Sequence, residues 1–362
     1  MYLNSLNSYY SFFIPTNNAL LEYIDPCSYG KRQTQLFRFH YDATKVREED
    51  RVWASIWNYD TATGEVGDSI GRANNDQIRN RLKDILDTHI VIGNVEDGKT
   101  FYRTKGGMEI RVNNTKAGAN GMTVEGSYQM NEGRPITVDY IYDQTEGGNG
   151  KSYILGAPIL GTRQTVRDVL ASHPEFSKFL ELMDGSGLFE IIHNKRNACG
   201  GTNISVFNTY HYTIYVPTNE SIEALQKSGK LSSWEAVDAF EEEGNLSAKT
   251  RDSLQIVNFL KYHIQDNALF IGAEDDSGDF ETAVIDPLTE RFYRVKATLS
   301  NDGISLTDHA GNKRRVETKN GLYNLVAREF QYNSTDASSA SAIETSSSAV
   351  IHQIDQPLMI EK

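Results

Sequence analysis

The sequence predicts an α+β protein made of two tandem copies of one module. Three observations carry this. The phrase "SFFIPTNNAL" at Ser11–Leu20 returns as "TIYVPTNESI" at Thr213–Ile222. An amphipathic stripe ending in histidine occurs twice, at "RLKDILDTHI" and "LQIVNFLKYHI". A β-prone stretch opening Phe-Tyr-Arg, at Phe101 and at Phe292, follows each stripe in the same order.

Each copy of the first phrase reads as a short apolar strand stopped by proline, Pro15 or Pro217. The Thr-Asn that follows is N-cap chemistry for a helix running on through "ALLEYI" or "SIEALQKS". In the second match, Leu82, Ile85, Leu86 and His89 share one helical face, as do Ile256, Phe259, Leu260 and His263. The two histidines stand 174 positions apart, and both end their apolar face. In the third match, turns rich in Gly and Asn separate short β-prone runs, as hairpins require. A strand, a polar loop and a strand ending in Pro plus an aliphatic residue close each copy, at "YILGAPIL" and "AVIHQIDQPL". The second closing loop, Asn333–Ser348, is too polar to bury much apolar area and is expected to be mobile.

These matches set domain limits of 1–161 and 162–362. No Gly-, Pro- or Ser-rich linker separates the two, so they are expected to abut. The second domain opens with a helical stretch, "TVRDVLASHPEFSKFLELMDGSGL". There Ser172 with Glu175 reads as a capping box, and Phe176, Phe179, Leu180 and Met183 form a core stripe. The first domain lacks this entry helix and is read as beginning inside a domain. It carries an insertion instead, roughly residues 25–80: Asn17 to Ile85 spans 28 more positions than Asn219 to Phe259, 68 against 40.

Bulk composition removes several classes of function. With 36 Lys and Arg against 49 Asp and Glu, the 362-residue chain carries a formal charge of −13. An acidic surface without a basic stripe repels phosphate backbones, so nucleic acid is not an expected partner. No apolar run is long enough to span a bilayer as a helix, and "MYLNSLNSYY" has no signal-peptide pattern. Cys27 and Cys199 lie far apart without a Cys-x-x-Cys spacing, which leaves neither a disulfide framework nor a zinc site.

Taken in order, the repeated segments resemble the fasciclin domain, present twice. "TIYVPTNESI" resembles its first box, "LKYHI" its Tyr-His motif and "AVIHQIDQPL" its closing box. The first copy departs from the pattern, with Thr88-His89 in place of Tyr-His and no Ile-Asp in "YILGAPIL". The resemblance implies a β-sandwich-like wedge with several helices packed on it. It also implies an extracellular or cell-surface protein, a lipoprotein of bacterial type that is outer-membrane-anchored or periplasmic, which mediates adhesion by binding a protein or glycan ligand. Residues that the family's animal members use around these motifs for integrin binding map to Tyr262, His263, Ile354 and Asp355. No Arg-Gly-Asp tripeptide is present.

Simpler readings compete at each site. A buried imidazole bonded to backbone explains both His263 and His89. Asp355 fits a strand-end tie as well as a contact residue. Trp53 and Trp57 fit either a platform on which sugars stack or a staple holding the insertion to the core, and the staple is the plainer choice. "GDSIG" matches a nucleophile-elbow pattern around Ser69, but a turn-rich stretch precedes it where an elbow needs a strand. "EDDSGDFE" invites a calcium reading through Asp275, Ser277 and Asp279, yet Phe280 stands where such a loop needs glycine. "EGGNGK" is hairpin chemistry. No cofactor, metal or catalytic constellation is expected. The leading expectation is a non-enzymatic adhesion or ligand-binding protein. A carbohydrate-processing enzyme with an interdomain site and a structural spacer in a larger surface protein are the alternatives.

Overall fold

The computed structural model describes residues 8–19, 22–25, 28, 34–191, 202–204, 211–273, 277–300, 302–332 and 343–361. The fold class is α+β, as expected. The chain divides into two compact units. One comprises Met1–Arg163 with Ile191–Gly201 and Glu329–Ser347, and the other comprises Gln164–Glu190, Thr202–Arg328 and Ser348–Lys362. Cys27 and Cys199 lie outside the described residues, as do part of the polar loop before the last strand and Asp275 of the acidic loop.

The first unit opens with β1 (Tyr10–Pro15), then β2 (Glu22–Ile24), β3 (Thr34–Tyr41), β4 (Val52–Tyr59) and β5 (Val66–Arg72). Helix α1 (Asn75–Thr88) and β6 (Ile90–Ile92) follow, then β7 (Phe101–Arg103), β8 (Glu109–Asn113) and β9 (Thr123–Glu125). Helix α2 (Ser127–Glu132), β10 (Ile136–Asp143) and β11 (Gly150–Leu155) close it. The main sheet runs β6-β1-β11-β10-β9-β8-β7, and an isolated bridge from Val91 to Thr104 links its ends. Phe13, Ile110, Met122, Val124, Tyr153 and Leu155 fill the interior of this curled sheet. The insertion forms a separate antiparallel sheet, β2-β3-β4-β5 among the described residues. Its inner face, with Phe37, Phe39, Ala54 and Ile56, packs on Ile78 and Ile85 of α1. Asn74 starts α1 with a full capping box to Gln77, which satisfies the first free N–H groups of the helix.

The second unit begins with α3 (Val166–Ala171), α4 (Ser177–Gly185), β12 (Phe189–Ile191), β13 (Thr202–Ile204) and β14 (His211–Pro217). Three helices follow: α5 (Asn219–Lys227), α6 (Trp234–Glu242) and α7 (Leu246–Tyr262). Then come β15 (Ile264–Asp266), β16 (Gly278–Ile285), β17 (Phe292–Ser300), β18 (Gly303–Thr307), β19 (Lys313–Arg315), β20 (Leu325–Tyr332), of which the second unit holds the part up to Arg328, and β21 (Ile343–Ile354), of which it holds the part from Ser348. The sheet order is β19-β18-β17-β16-β15-β14-β21-β20, and a bridge from Val316 to Ile354 ties β19's end back to β21. One face of the sheet, with Tyr212, Ile214, Val216 and Ile351, is buried in one cluster with Phe176, Phe179 and Met183 of the entry region and with Ile256 and Leu260 of α7. The other face holds Tyr215, Tyr262, Val295, Leu306 and Ile354.

The two sheets share one register at their centre. In the first, β1 runs parallel to β11 with Phe13 beside Tyr153, and antiparallel to β6. In the second, β14 runs parallel to β21 with Tyr215 beside His352, and antiparallel to β15. The duplication read from the sequence is therefore a duplication of strand pairing.

Four local expectations are corrected. "ALLEYI" does not continue as a helix: the turn at Thr16–Ala19 leads into β2, because Glu22, Tyr23 and Ile24 are recruited as the edge of the inserted sheet. The capping box of the entry helices is Thr165 with Asp168; Ser172 instead caps the far end of α3, its Oγ donating to the Val169 carbonyl. Leu86 is exposed, whereas Ile78, Arg81, Ile85 and Thr88 form the buried face of α1. Of the Thr-Asn pair, only Thr218 is an N-cap, accepting from Ser221 N–H.

Candidate functional site

The repeated histidines come first because the sequence marks them most clearly. Each follows the last residue of its helix, so its ring folds back on the final turn. His89 Nδ1 lies 2.6 Å from the Ile85 carbonyl, and His263 Nδ1 lies 2.7 Å from the Phe259 carbonyl. Their Nε2 atoms accept backbone N–H groups from Ile159 at 2.8 Å and Leu358 at 2.9 Å. Those residues directly follow Pro158 and Pro357 in the closing segments. A nitrogen that accepts an N–H carries no proton, so Nδ1 holds the hydrogen and donates it to the helix carbonyl. Both rings are therefore neutral. Burial pushes both imidazoles down to about 4, below the ordinary value near 6.5. Each histidine ties the end of its helix to the chain's closing segment.

The residues mapped from the family motifs fall around the second tie. Tyr262 is buried: its hydroxyl accepts from His309 N–H at 2.7 Å and donates to the Arg294 carbonyl at 3.2 Å. Burial drives its phenol pKa upward. Ile354 is buried in the same hydrophobic cluster as Tyr262. His263 is buried beside the edge of the Phe179 ring, 6.0 Å between centroids. Asp355 alone of the four reaches the surface. Its carboxylate accepts Arg315 N–H at 3.0 Å, and its own N–H donates to the Arg315 carbonyl at 3.0 Å. A third buried imidazole, His352, escaped the sequence reading. Its Nε2 donates to the Leu269 carbonyl at 2.8 Å and its Nδ1 accepts from Asn324 N–H at 3.2 Å.

Trp53 and Trp57 lie elsewhere, on β4 in the inserted sheet. Strand alternation sends Ala54 and Ile56 into the core and both indoles to the opposite, outward face. The staple reading does not fit that placement. Instead the indoles stand in a row with a histidine and two arginines. The His40 ring stacks on Trp53 with 3.9 Å between centroids and 17° between planes. Arg72, from the strand on the other side, lies 4.8 Å from the same indole. Arg38 lies 4.8 Å over Trp57. Trp57 Nε1 donates to Ser55 Oγ at 2.9 Å, and His40 Nε2 lies 3.4 Å from that hydroxyl. Arg38 also forms a half-exposed ion pair with Glu22 at 2.7 Å. Sequence reasoning missed Arg38, His40 and Arg72. The signal was available in "TQLFRFHY", where Arg38 and His40 alternate with Phe37 and Phe39 at the strand period.

The remaining motifs resolve simply. Ser69 sits within β5, opposite Trp57, on a strand rather than at a strand-to-helix elbow. Residues 144–149 turn between β10 and β11, with Gly147 at φ +84°. Among the described residues, no group of three or more His, Cys, Asp or Glu side chains is placed to hold a metal ion, and no helix is long and apolar enough to cross a membrane.

The fasciclin-domain model matches residues 174–360, more than half of the chain, and the protein belongs to the fasciclin-domain family. Among solved structures, it is similar to a domain pair from the insect cell adhesion molecule fasciclin I. That similarity has 16% identity, covers 78% of this chain and 81% of the other, and has a TM-score of 0.28. No curated protein matches the sequence. The family match lies in the second unit, and the first is tied to it by the shared register and the equivalent histidine bonds described above.

Proposed function

We propose that the protein is a non-enzymatic adhesion or ligand-binding protein of the cell surface or extracellular space, and that it holds an acidic glycan on the outward face of its inserted sheet. Membership of a family associated with cell adhesion supports the general part of this reading. The observation that carries the specific part is the row His40–Trp53–Arg72 with Arg38–Trp57 beside it. Indole rings offer flat apolar surface to the C–H faces of sugars, and guanidinium groups pair with carboxylate or sulfate. Arg72 is exposed and has no carboxylate partner among the described residues. In a chain of net charge −13 such a cationic row selects its ligand by sign. Tyr262, His263 and Ile354 act in this reading as the frame of the second domain, with Asp355 at its half-buried edge. The domains are taken as 1–161 and 162–362.

The test is titration of purified protein with polygalacturonate and heparin oligosaccharides, against neutral dextran. Saturable binding to an acidic glycan is expected, weakened about tenfold by Arg72→Ala or Trp53→Ala and by raised salt. Binding that ignores both substitutions, or no preference over dextran, contradicts the proposal.

A further inference from the structure

The two arginines on the outward face of the inserted sheet are placed alike and partnered differently. Arg38 on β3, Ser55 on β4 and Arg72 on β5 form one line across adjacent strands. Trp53 and Trp57 stand on β4 to either side of Ser55. Arg38 leans to one indole, 4.8 Å over Trp57, and Arg72 leans to the other, 4.8 Å over Trp53. The face therefore offers the same pairing of guanidinium and indole twice, turned about Ser55. Strand spacing puts the two arginine backbones roughly 10 Å apart, and the two indole backbones, along one strand, about 13 Å apart.

Their partners break this symmetry. Glu22 of β2 is in register with Arg38. Its Oε1 accepts from Arg38 Nε at 2.8 Å and lies 2.7 Å from Nη2. The carboxylate thus stands where an acidic group of a ligand would sit on that guanidinium. Arg72 is exposed and has no carboxylate in ion-pair distance among the described residues. The Arg38–Glu22 pair is only partly buried, with side-chain exposures of 34% and 48%. A pair so exposed is weak, because water screens it and two long side chains must be held in one geometry. Both of its contacts run to one oxygen, whereas a ligand carboxylate or sulfate can take the two N–H groups with two oxygens.

Resting on the glycan reading above, we propose that Glu22 is a displaceable internal counter-ion that competes with the ligand for Arg38. Arg72 is the open anchor and takes the first acidic group. Arg38 is engaged only when a second acidic group of the same chain, on the far side of Ser55, replaces Glu22. A chain with sparse charge gains the first contact alone, and a densely charged chain gains both. Glu22 is thereby a specificity residue that holds Arg38 back from ligands of low charge density.

The intact protein is titrated by calorimetry with polygalacturonate, heparin oligosaccharides, highly methyl-esterified pectin and neutral dextran. Glu22→Gln keeps the side-chain shape and an acceptor for Arg38 while removing the charge, and circular dichroism checks that the fold is kept. It is expected to strengthen polygalacturonate binding about threefold, to strengthen the esterified chain less, and to leave dextran unchanged. The gain is expected to vanish when Arg38→Ala is added, since Glu22 acts through that guanidinium. Suppose the protein binds polygalacturonate and Arg72→Ala weakens it, yet Glu22→Gln has no effect or weakens binding. The counter-ion is then overturned and the glycan reading stands. A gain that persists without Arg38 overturns the counter-ion in the same way. No saturable binding to polygalacturonate or heparin overturns both.

Discussion

Arg81 of the first unit and Gln255 of the second occupy the same position, 174 apart, on equivalent helices. What they hold explains why the units look different. Arg81 is buried and bonded twice to Asp25, at 2.9 and 3.1 Å, with its guanidinium 5.9 Å from the Phe37 ring. It fixes the inserted sheet to the helix. Gln255 accepts Ser232 N–H at 3.0 Å and donates to the Lys230 carbonyl at 3.2 Å, which fixes the turn between α5 and α6. The histidine one turn-pair further along is used identically in both. The module therefore has a constant seam, where helix, strand and closing segment meet at an imidazole. It also has a variable cover, which is helices in one unit and a sheet in the other.

The largest effect is expected where the cover depends on a charge. Arg81→Ala leaves Asp25 buried without its partner and should cost the first unit about 3–5 kcal/mol. Gln255→Ala should cost the second about 1 kcal/mol. Urea melts resolved by unit check this, and equal losses would show that the covers are not held differently. Next come the seams. His89→Ala and His263→Ala each strand one buried N–H and one carbonyl, with an expected loss of about 3 kcal/mol in both units. A large loss in only one unit breaks the equivalence.

Acid sharpens the comparison further. An imidazole pushed from the ordinary value near 6.5 down to about 4 in the fold binds its proton more readily when unfolded. Its stabilisation is complete above pH 6.5, falls as pH drops toward 4, and changes no further below that. Among the described residues, His89 is such a group in the first unit, and His263 and His352 are such groups in the second, where His352 stands at the position that Tyr153 occupies in the first. Each is worth on the order of 3 kcal/mol over that window. The second unit should lose about twice as much stability as the first between pH 7 and pH 4, as seen by hydrogen exchange. His352→Tyr should narrow the gap. The smallest effect concerns the asparagine after the shared Pro-Thr: Asn219 bonds the Pro174 carbonyl, Ser177 Oγ and Lys178 N–H, so Asn219→Ala should cost about 1–2 kcal/mol, and the same change at the exposed Asn17 less than about 0.5. A substantial loss at Asn17 would mean that its amide is already engaged.

Much of this was legible in the residues. The histidine stripes work because a helical period and a terminal imidazole are local properties, and the shared register follows from the repeated strand phrases. Three things were not legible. The course of "ALLEYI" is decided by pairing with β3, a tertiary contact that overrides helical spacing. The role of Asn219 is to bind another helix, which a local capping rule assigns to Thr218 instead. The row on the inserted sheet needs three strands in register before Arg38, His40, Trp53 and Arg72 become neighbours. Leu86 shows the same limit from the other side. Its pattern is that of a core residue, yet it stands 60% exposed.

The central claim is best tested at the two seams by ¹⁵N-histidine NMR of the intact chain. His89 and His263 should both appear as neutral rings protonated at Nδ1, and both should stay so down to about pH 5. A ring that titrates near 6.5, or that carries its proton on Nε2, would contradict a shared imidazole seam.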